Sequence, residues 1–351
     1  MKRITLATTV VGILIVSSTP VIGSLYSENF EVDPTANWTV HSGPGVNAVD
    51  FFFDYSTVGI PPAPSGTGTR GLKLQANLNP NIAAGLTGGP TSTSPNGTYA
   101  AGGEFGGLTV SPNGQNFTGD YKLIFDWWGN YNGPVNGGGN GVSQVSQFGI
   151  GTAGASTQWI GAPNKDSVFF AATLDGGSAS DYRAYSTAAP TSYAAGNAVY
   201  SAPGGAINHS DAYYATPFPA GATAPAAQLA LFPLQTDSTA AGVAGFRWHL
   251  VEIAKQGNLV TWTVNGTRLA TVDLNTVTLG GGNILFGHSD TNTGASIDET
   301  HPQLLFTLID NVRVVPEPSG LTMCVLGLVG WLGSQRRRSL LDRQCCLAHC
   351  G

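Results

Sequence analysis

The chain has 351 residues, only 10% of them charged, and a formal net charge of −6. A body so poor in Lys and Arg cannot neutralise a run of phosphates, which excludes nucleic acid as its partner. Its 48 Gly and 21 Pro stay below the level of low-complexity disorder, and 7 Trp, 11 Tyr and 15 Phe provide rings for a packed interior.

Lys2 and Arg3 precede an apolar run over residues 4–16, followed by Ser17, Ser18, Thr19, Pro20 and, after two more residues, Gly23. This order of charge, apolar run and small residues predicts a secretory signal helix over 1–23, cleaved near Gly23. The body that follows, 24–315, is long enough for one β domain to bury a core. It contains no cysteine, because Cys324, Cys345, Cys346 and Cys350 all come after it. The body therefore folds without disulfides.

Helical periodicity is nearly absent from the body. Short runs rich in β-branched and aromatic residues predict strands at 49–55, 72–78, 121–128, 167–173, 246–254, 259–264, 268–274, 283–286 and 304–315. In the third of these, Tyr121, Leu123, Phe125 and Trp127 fall on one face, which points inward. Gly- and Pro-rich stretches at 59–68 and 132–141 read as long surface loops. The Ala- and Pro-rich part over 188–225 reads as an insertion or a loop excursion. Residues 248–274, "WHLVEIAKQGNLVTWTVNGTRLATVDL", predict a three-stranded meander that turns at Lys255-Gln256-Gly257-Asn258 and again at Asn265-Gly266.

That meander resembles the hairpins of concanavalin A-like (laminin G-like) jelly-roll domains. "ENFEVDPTANW", 28–38, looks like the first strand of such domains, and "LLFTLIDNVRVV", 304–315, looks like the closing strand that pairs with it. The resemblance implies an all-β, antiparallel jelly-roll sandwich over nearly all of 24–315. It also implies an occasional structural calcium.

Jelly-roll glycosidases of this architecture carry a Glu-x-Asp-x-x-Glu strand that sets nucleophile and acid on one face. Nothing here matches it. Glu28 and Glu31 are the only close glutamates, and at that spacing they face opposite sides of a strand. Asp50 and Asp54 are four apart and share a face of a regular strand, either as a catalytic carboxylate pair or as part of a solvated surface. There is no nucleophile elbow, no His-Glu-x-x-His and no phosphate loop, and the histidines of the body are scattered singly. The loop "GHSDTNTGASIDE", 287–299, offers Asp290, Asn292 and Asp298 as oxygen ligands for calcium, or as turn caps. For sugar stacking the candidates are Trp128 with Asn130, Tyr131 and Trp159; the alternative is that these rings fill the sandwich.

Pro316-Glu317-Pro318 is followed by about a dozen mostly apolar residues over 321–332, short of the roughly 20 that span a bilayer comfortably. Arg336, Arg337 and Arg338 come next, a cluster that stays on the cytoplasmic side of a short transmembrane helix. Triplet, apolar segment and arginines over 316–338 resemble the PEP-CTERM sorting signal. That resemblance implies recognition by an exosortase, a membrane enzyme that cuts near the triplet and releases the protein outward. The tail over 339–351 runs past the usual end of such signals, and its Cys345, Cys346, His349 and Cys350 match no familiar zinc spacing; it reads as unstructured. The expected function is a non-catalytic exported surface or matrix protein that binds carbohydrate or is structural in exopolysaccharide. The competing reading is a secreted polysaccharide-degrading hydrolase or lyase that uses Asp50 with Asp54.

Overall fold

The structure, a computed structural model, describes residues 23–43, 47–76, 106–131, 144–231, 235–290 and 304–317. The strands are β1 (Tyr26–Glu28), β2 (Trp38–Ser42), β3 (Ala48–Asp54), β4 (Arg70–Gln75), β5 (Gly106–Pro112), β6 (Tyr121–Asn130), β7 (Gln144–Thr152), β8 (Val168–Thr173), β9 (Tyr182–Tyr185), β10 (Trp248–Gln256), β11 (Leu259–Val264), β12 (Thr267–Asp273), β13 (Asn283–Asp290) and β14 (Phe306–Pro316). Among the described residues one short α-helix, α1 (Ala226–Leu231), interrupts them. All strand pairs are antiparallel. They form an eight-stranded sheet in the order β12-β11-β10-β6-β14-β4-β3, with β1 also on β14, and a six-stranded sheet in the order β2-β5-β13-β7-β8-β9.

The expected all-β sandwich is therefore present, and its layers follow from side-chain alternation. On β6, Tyr121, Leu123, Phe125 and Trp127 are all buried between the sheets. Phe125 meets Phe286 of the opposite sheet edge-on at 4.9 Å, and Trp262 stacks on Phe170 at 5.0 Å. Edge-to-face and stacked rings of this kind add to the stabilisation that comes from burying their area.

The meander turns as the sequence predicts. Asn265 (φ 49°) and Gly266 (φ 78°) both adopt the left-handed backbone that a two-residue hairpin needs. The Asn265 side chain also donates to the Pro217 carbonyl at 2.8 Å, tying the turn to the 188–225 excursion. That excursion is packed, because Tyr200, Ile207, Tyr214 and Phe218 enter the main core. It also covers the outer edge of β12 through Ser201 N to Leu269 O and Thr271 N to Val199 O, leaving no open edge there for another chain.

The two ends of the body meet, since Tyr26 lies opposite Val314 and Glu28 opposite Val312. The first strand is much shorter than the stretch expected over 28–38. Phe30 turns the chain at φ 56°. The Asp33 carboxylate then accepts from Thr35 N and Oγ1, closing a local turn that ends the extended backbone before β2.

Candidate functional site

One group of buried polar side chains lies at the end of the sandwich where β4 and β6 finish and β7 and β14 begin. Ser146 lies opposite His288, and Gln144 opposite Asp290. Trp127 Nε1 donates to Ser146 Oγ at 2.8 Å, Ser146 Oγ is 2.6 Å from Thr307 Oγ1, and Thr307 Oγ1 is 2.8 Å from His288 Nδ1. His288 Nε2 faces Gln144 Oε1, which can only accept. The proton order follows. Nε2 carries the hydrogen, Nδ1 accepts from Thr307, Thr307 accepts from Ser146, and Ser146 accepts from the indole. Burial pushes His288 down to about 3, so the imidazole stays neutral and the chain of donors is complete. A fully satisfied buried network of this sort fixes a single packing of the core.

A second amide cluster sits on the other side of β6. Asn130 donates Nδ2 to Gln228 Oε1 at 3.0 Å and to the Leu304 carbonyl at 2.7 Å, while Gln228 Nε2 returns a bond to Asn130 Oδ1 at 2.9 Å. Trp128 Nε1 donates to the same Oδ1 at 3.1 Å. Trp128 and Asn130, expected to act together on a sugar, are instead bonded to each other inside the protein. Trp128, Asn130 and Tyr131 are 4%, 0% and 0% exposed. This corrects the expectation of exposed stacking rings: each ring fills a packed layer, Trp128 edge-on to Trp248 at 5.7 Å and Tyr131 against Phe246 at 4.4 Å.

Trp159 is likewise buried. It belongs to the 153–166 loop, which crosses the outer face of the six-stranded sheet. A Cβ on Gly107 would lie 2.6 Å from Trp159 Cε3, so the indole rests on bare backbone. Lys165 holds the loop by donating to the carbonyls of Trp159 (2.8 Å), Ile160 (3.1 Å) and Ala162. Burial brings this lysine down to about 8. Nearby, Gln147 Nε2 donates to Ser289 Oγ at 2.7 Å, while Gln147 Oε1 is buried without a partner. Gly107→Ala is expected to lift Trp159 from the sheet and destabilise the protein by about 1–3 kcal/mol, the usual range for overpacking. A urea midpoint unchanged from wild type, with no shift in indole fluorescence, would contradict this.

Asp50 and Asp54 do not converge. β3 carries a bulge, with Asp50 opposite Lys73, Phe53 opposite Gly71 and Asp54 opposite Arg70. Lys73 and Arg70 are three apart, so the two aspartates leave the strand on opposite faces. Asp54 instead caps the next turn, accepting from Ser56 N at 3.1 Å and Ser56 Oγ at 2.6 Å. Carboxylates do meet elsewhere, in a way the sequence did not indicate. Asp126 and Asp310 are direct cross-strand partners on the outer face of the eight-stranded sheet. All four of their oxygens accept from protein donors: Asp126 from Ser65 N, Ser65 Oγ and Asn311 Nδ2, and Asp310 from Asn311 N and Tyr55 Oη. Their task is to hold the 61–69 loop down. Beside that loop is a cavity of about 280 Å³ lined by Ser27, Glu28, Asn29, Ser65, Asn311 and Arg313.

His209 Nδ1 lies 2.8 Å from the buried Asp181 carboxylate, whose hydrogen bond raises the imidazole above its usual value. Among the described residues no hydroxyl is bonded to its Nε2, so none of them completes a nucleophilic triad with this pair. Of the calcium ligands expected from the sequence, Asp290 ends β13 with 0% exposure. Asn292 and Asp298 lie outside the described residues. Among the described residues no three acidic, histidine or cysteine side chains gather in a way that could hold a metal, and no helix is long and apolar enough to cross a membrane. The 1–22 stretch, Pro318, Arg336, Arg337, Arg338 and the 339–351 tail also lie outside the described residues.

No protein-family model matches the chain, and no curated protein matches it. Among solved structures it is similar to a Bacillus subtilis protein of unknown function with a galectin-like fold (8% identity, TM-score 0.39, covering 84% of this chain and 96% of that one). It is also similar to the potassium-bound carbohydrate recognition domain of Emp46p (8%, 0.37, 83% and 96%) and to a Bacillus licheniformis β-glucanase (13%, 0.38, 84% and 99%). At these values the likeness carries no argument about ligand or activity.

Proposed function

We propose that the chain is an exported, non-catalytic protein whose sandwich binds carbohydrate or serves as a structural component of an extracellular polysaccharide. Delivery would depend on a signal at each end, with an exosortase-type enzyme acting on the Pro316-Glu317-Pro318 triplet. The observation that carries the non-catalytic part is the chemistry of the six-stranded sheet. In all six strands Asp290 is the only Asp or Glu. Retaining and inverting glycosidases both need two carboxyl groups, about 5–5.5 Å or about 6.5–9.5 Å apart. One acid cannot supply them, and the pair that does meet, Asp126 with Asp310 on the other sheet, has all four oxygens taken up by protein donors.

Support for the carbohydrate part is the composition: with only 10% of its residues charged, the chain meets solvent largely through neutral hydrogen-bonding groups, which pair with sugar hydroxyls without demanding a counter-charge. The secreted protein passed over immobilised polysaccharides is expected to be retained on at least one; passage through all of them removes the binding reading and leaves the structural one. Asp50→Asn with Asp54→Asn is expected to change neither retention nor reducing-end release. Loss of such release in the double variant would restore the hydrolase reading.

A further inference from the structure

Glu317 is described by the structure, and it is not free. β14 keeps its pairing with β6 as far as Pro316, which lies opposite Tyr121. One residue on, Glu317 N donates to the Asp120 carbonyl at 3.1 Å. The Glu317 carboxylate is gripped from both sides, Oε1 at 3.0 Å from Lys122 Nζ and Oε2 accepting from Gln256 Nε2 at 3.2 Å. Its side chain is only 12% exposed, against 29% for Glu252, which shares the same lysine at 3.2 Å. Burial alone would lower Lys122, but the bonds to Glu317 and Glu252 outweigh it and hold the ammonium above the usual lysine value.

The floor of this contact is itself braced. Asp120 Oδ1 accepts from Gly257 N at 2.8 Å, and Lys255 Nζ donates to the Gly119 carbonyl at 2.9 Å, so the β10–β11 turn and the 119–120 turn are tied together beneath Glu317. Only Pro318, Ser319 and Gly320 separate Glu317 from the apolar stretch that begins at Leu321. Three residues reach about 10 Å at most. A membrane enzyme would therefore find no slack between the stretch and the folded body.

We propose that the body latches its own sorting triplet: Lys122 and Gln256 hold Glu317 at the end of β14, and an enzyme that reads Pro-Glu-Pro as an extended segment must first peel this last rung from β6. This rests on the sorting reading of the C-terminal segment. The latch makes the folded domain a brake on its own processing. Its strength is set by how Lys122 divides itself between Glu317 and Glu252.

The test uses the full chain in cells that carry an exosortase, with the fraction of protein lacking its C-terminal segment followed by mass. Lys122→Ala is expected to speed processing about two- to five-fold, the range set by exposed or half-buried ion pairs. Gln256→Ala removes one hydrogen bond to the same carboxylate and is expected to speed it about two- to five-fold as well. Glu252→Ala, which leaves Lys122 wholly to Glu317, is expected to slow it. In parallel, amide exchange of the peptide containing Glu317 in the purified full chain reads the latch without any enzyme, and should quicken in Lys122→Ala and Gln256→Ala. Equal processing rates in all four proteins, or unchanged exchange in both loosened variants, would overturn the latch. Faster exchange with no processing of any protein, wild type included, would instead keep the latch and sink the sorting reading.

Discussion

Trp262→Ala is expected to destabilise the protein by about 3–5 kcal/mol, the range for removing a large ring from a core. The ring is 0% exposed and lies between the sheets, stacked on Phe170 at 5.0 Å and edge-on to Phe148 at 5.8 Å. No small movement of one strand can close the space it leaves, because its ring neighbours sit on different strands of the opposite sheet, Phe148 on β7 and Phe170 on β8. Its Nε1, however, has no hydrogen-bond partner. Trp262→Phe therefore removes a buried donor that nothing satisfies, and its effect should stay below about 1.5 kcal/mol. Trp127→Phe is the contrast. There the indole N–H heads the chain through Ser146 and Thr307 to His288. Its loss leaves a buried hydroxyl oxygen without its donor, adding about 1–3 kcal/mol to the packing change. Urea unfolding of the three variants separates these terms. Equal losses for Trp262→Phe and Trp127→Phe would show that the polar chain contributes nothing beyond volume.

This contrast also explains what could be read in the sequence. On β6 Tyr121, Leu123, Phe125 and Trp127, and on β11 Val260, Trp262 and Val264, recur at every second position, and this period of two is visible without the fold. β5 (GGLTVSP), β7 (QVSQFGIGT) and β9 (YRAY) were not anticipated. The first two are rich in Gly, Ser and Gln, residues that disfavour strands in isolation, and they are extended because neighbours hold them on both sides. At Gly149 the reason is specific: a Cβ would meet Phe169 Cβ at 2.4 Å, so the strand needs a residue that its own propensity argues against.

The polar end was hidden for the same reason. Ser146, Thr307 and His288 are far apart in the chain, and only the register of β7, β13 and β14 brings them into one line. Trp128 and Asn130 were singled out as a ring and an amide that act together on a sugar, whereas they are bonded to each other in the interior. Their burial was not legible, because α1 and the segment after it, which supply Gln228 and Gln235, carry no pattern that says where they pack. The failure of the Asp50–Asp54 pair has another cause. A β-bulge changes which face a residue occupies, and a bulge leaves little trace in composition.

Asp310→Asn is expected to flatten the pH dependence of stability. Burial is the main cause that raises Asp310 to about 7, from 3.8 in an exposed chain, with the negative charges of Asp126 and Glu31 acting in the same direction and the bonds from Tyr55 and Asn311 opposing. Between about pH 4 and pH 7 the folded protein thus holds a proton that the unfolded chain has released. By linkage this group's contribution is fully present below about pH 4 and is lost as pH rises through 7. At full extent the loss is on the order of 4 kcal/mol, since each tenfold difference in proton affinity is worth about 1.4 kcal/mol. The amide can take over every bond of the protonated acid. Its oxygen accepts from Asn311 N, and its Nδ2 donates to Tyr55 Oη, which then gives its own hydrogen to the Gly68 carbonyl already within 3.0 Å. The variant should match wild type near pH 4.5 and exceed it near pH 8, as measured by urea unfolding at both values. Exposed Asp54, whose bonds from Ser56 lower it, pulls wild type and variant equally and cancels in the difference. If Asp310→Asn instead weakened the protein at pH 8, the ionised carboxylate would be a net support for the 61–69 loop, and the buried pair would have to be understood as charged.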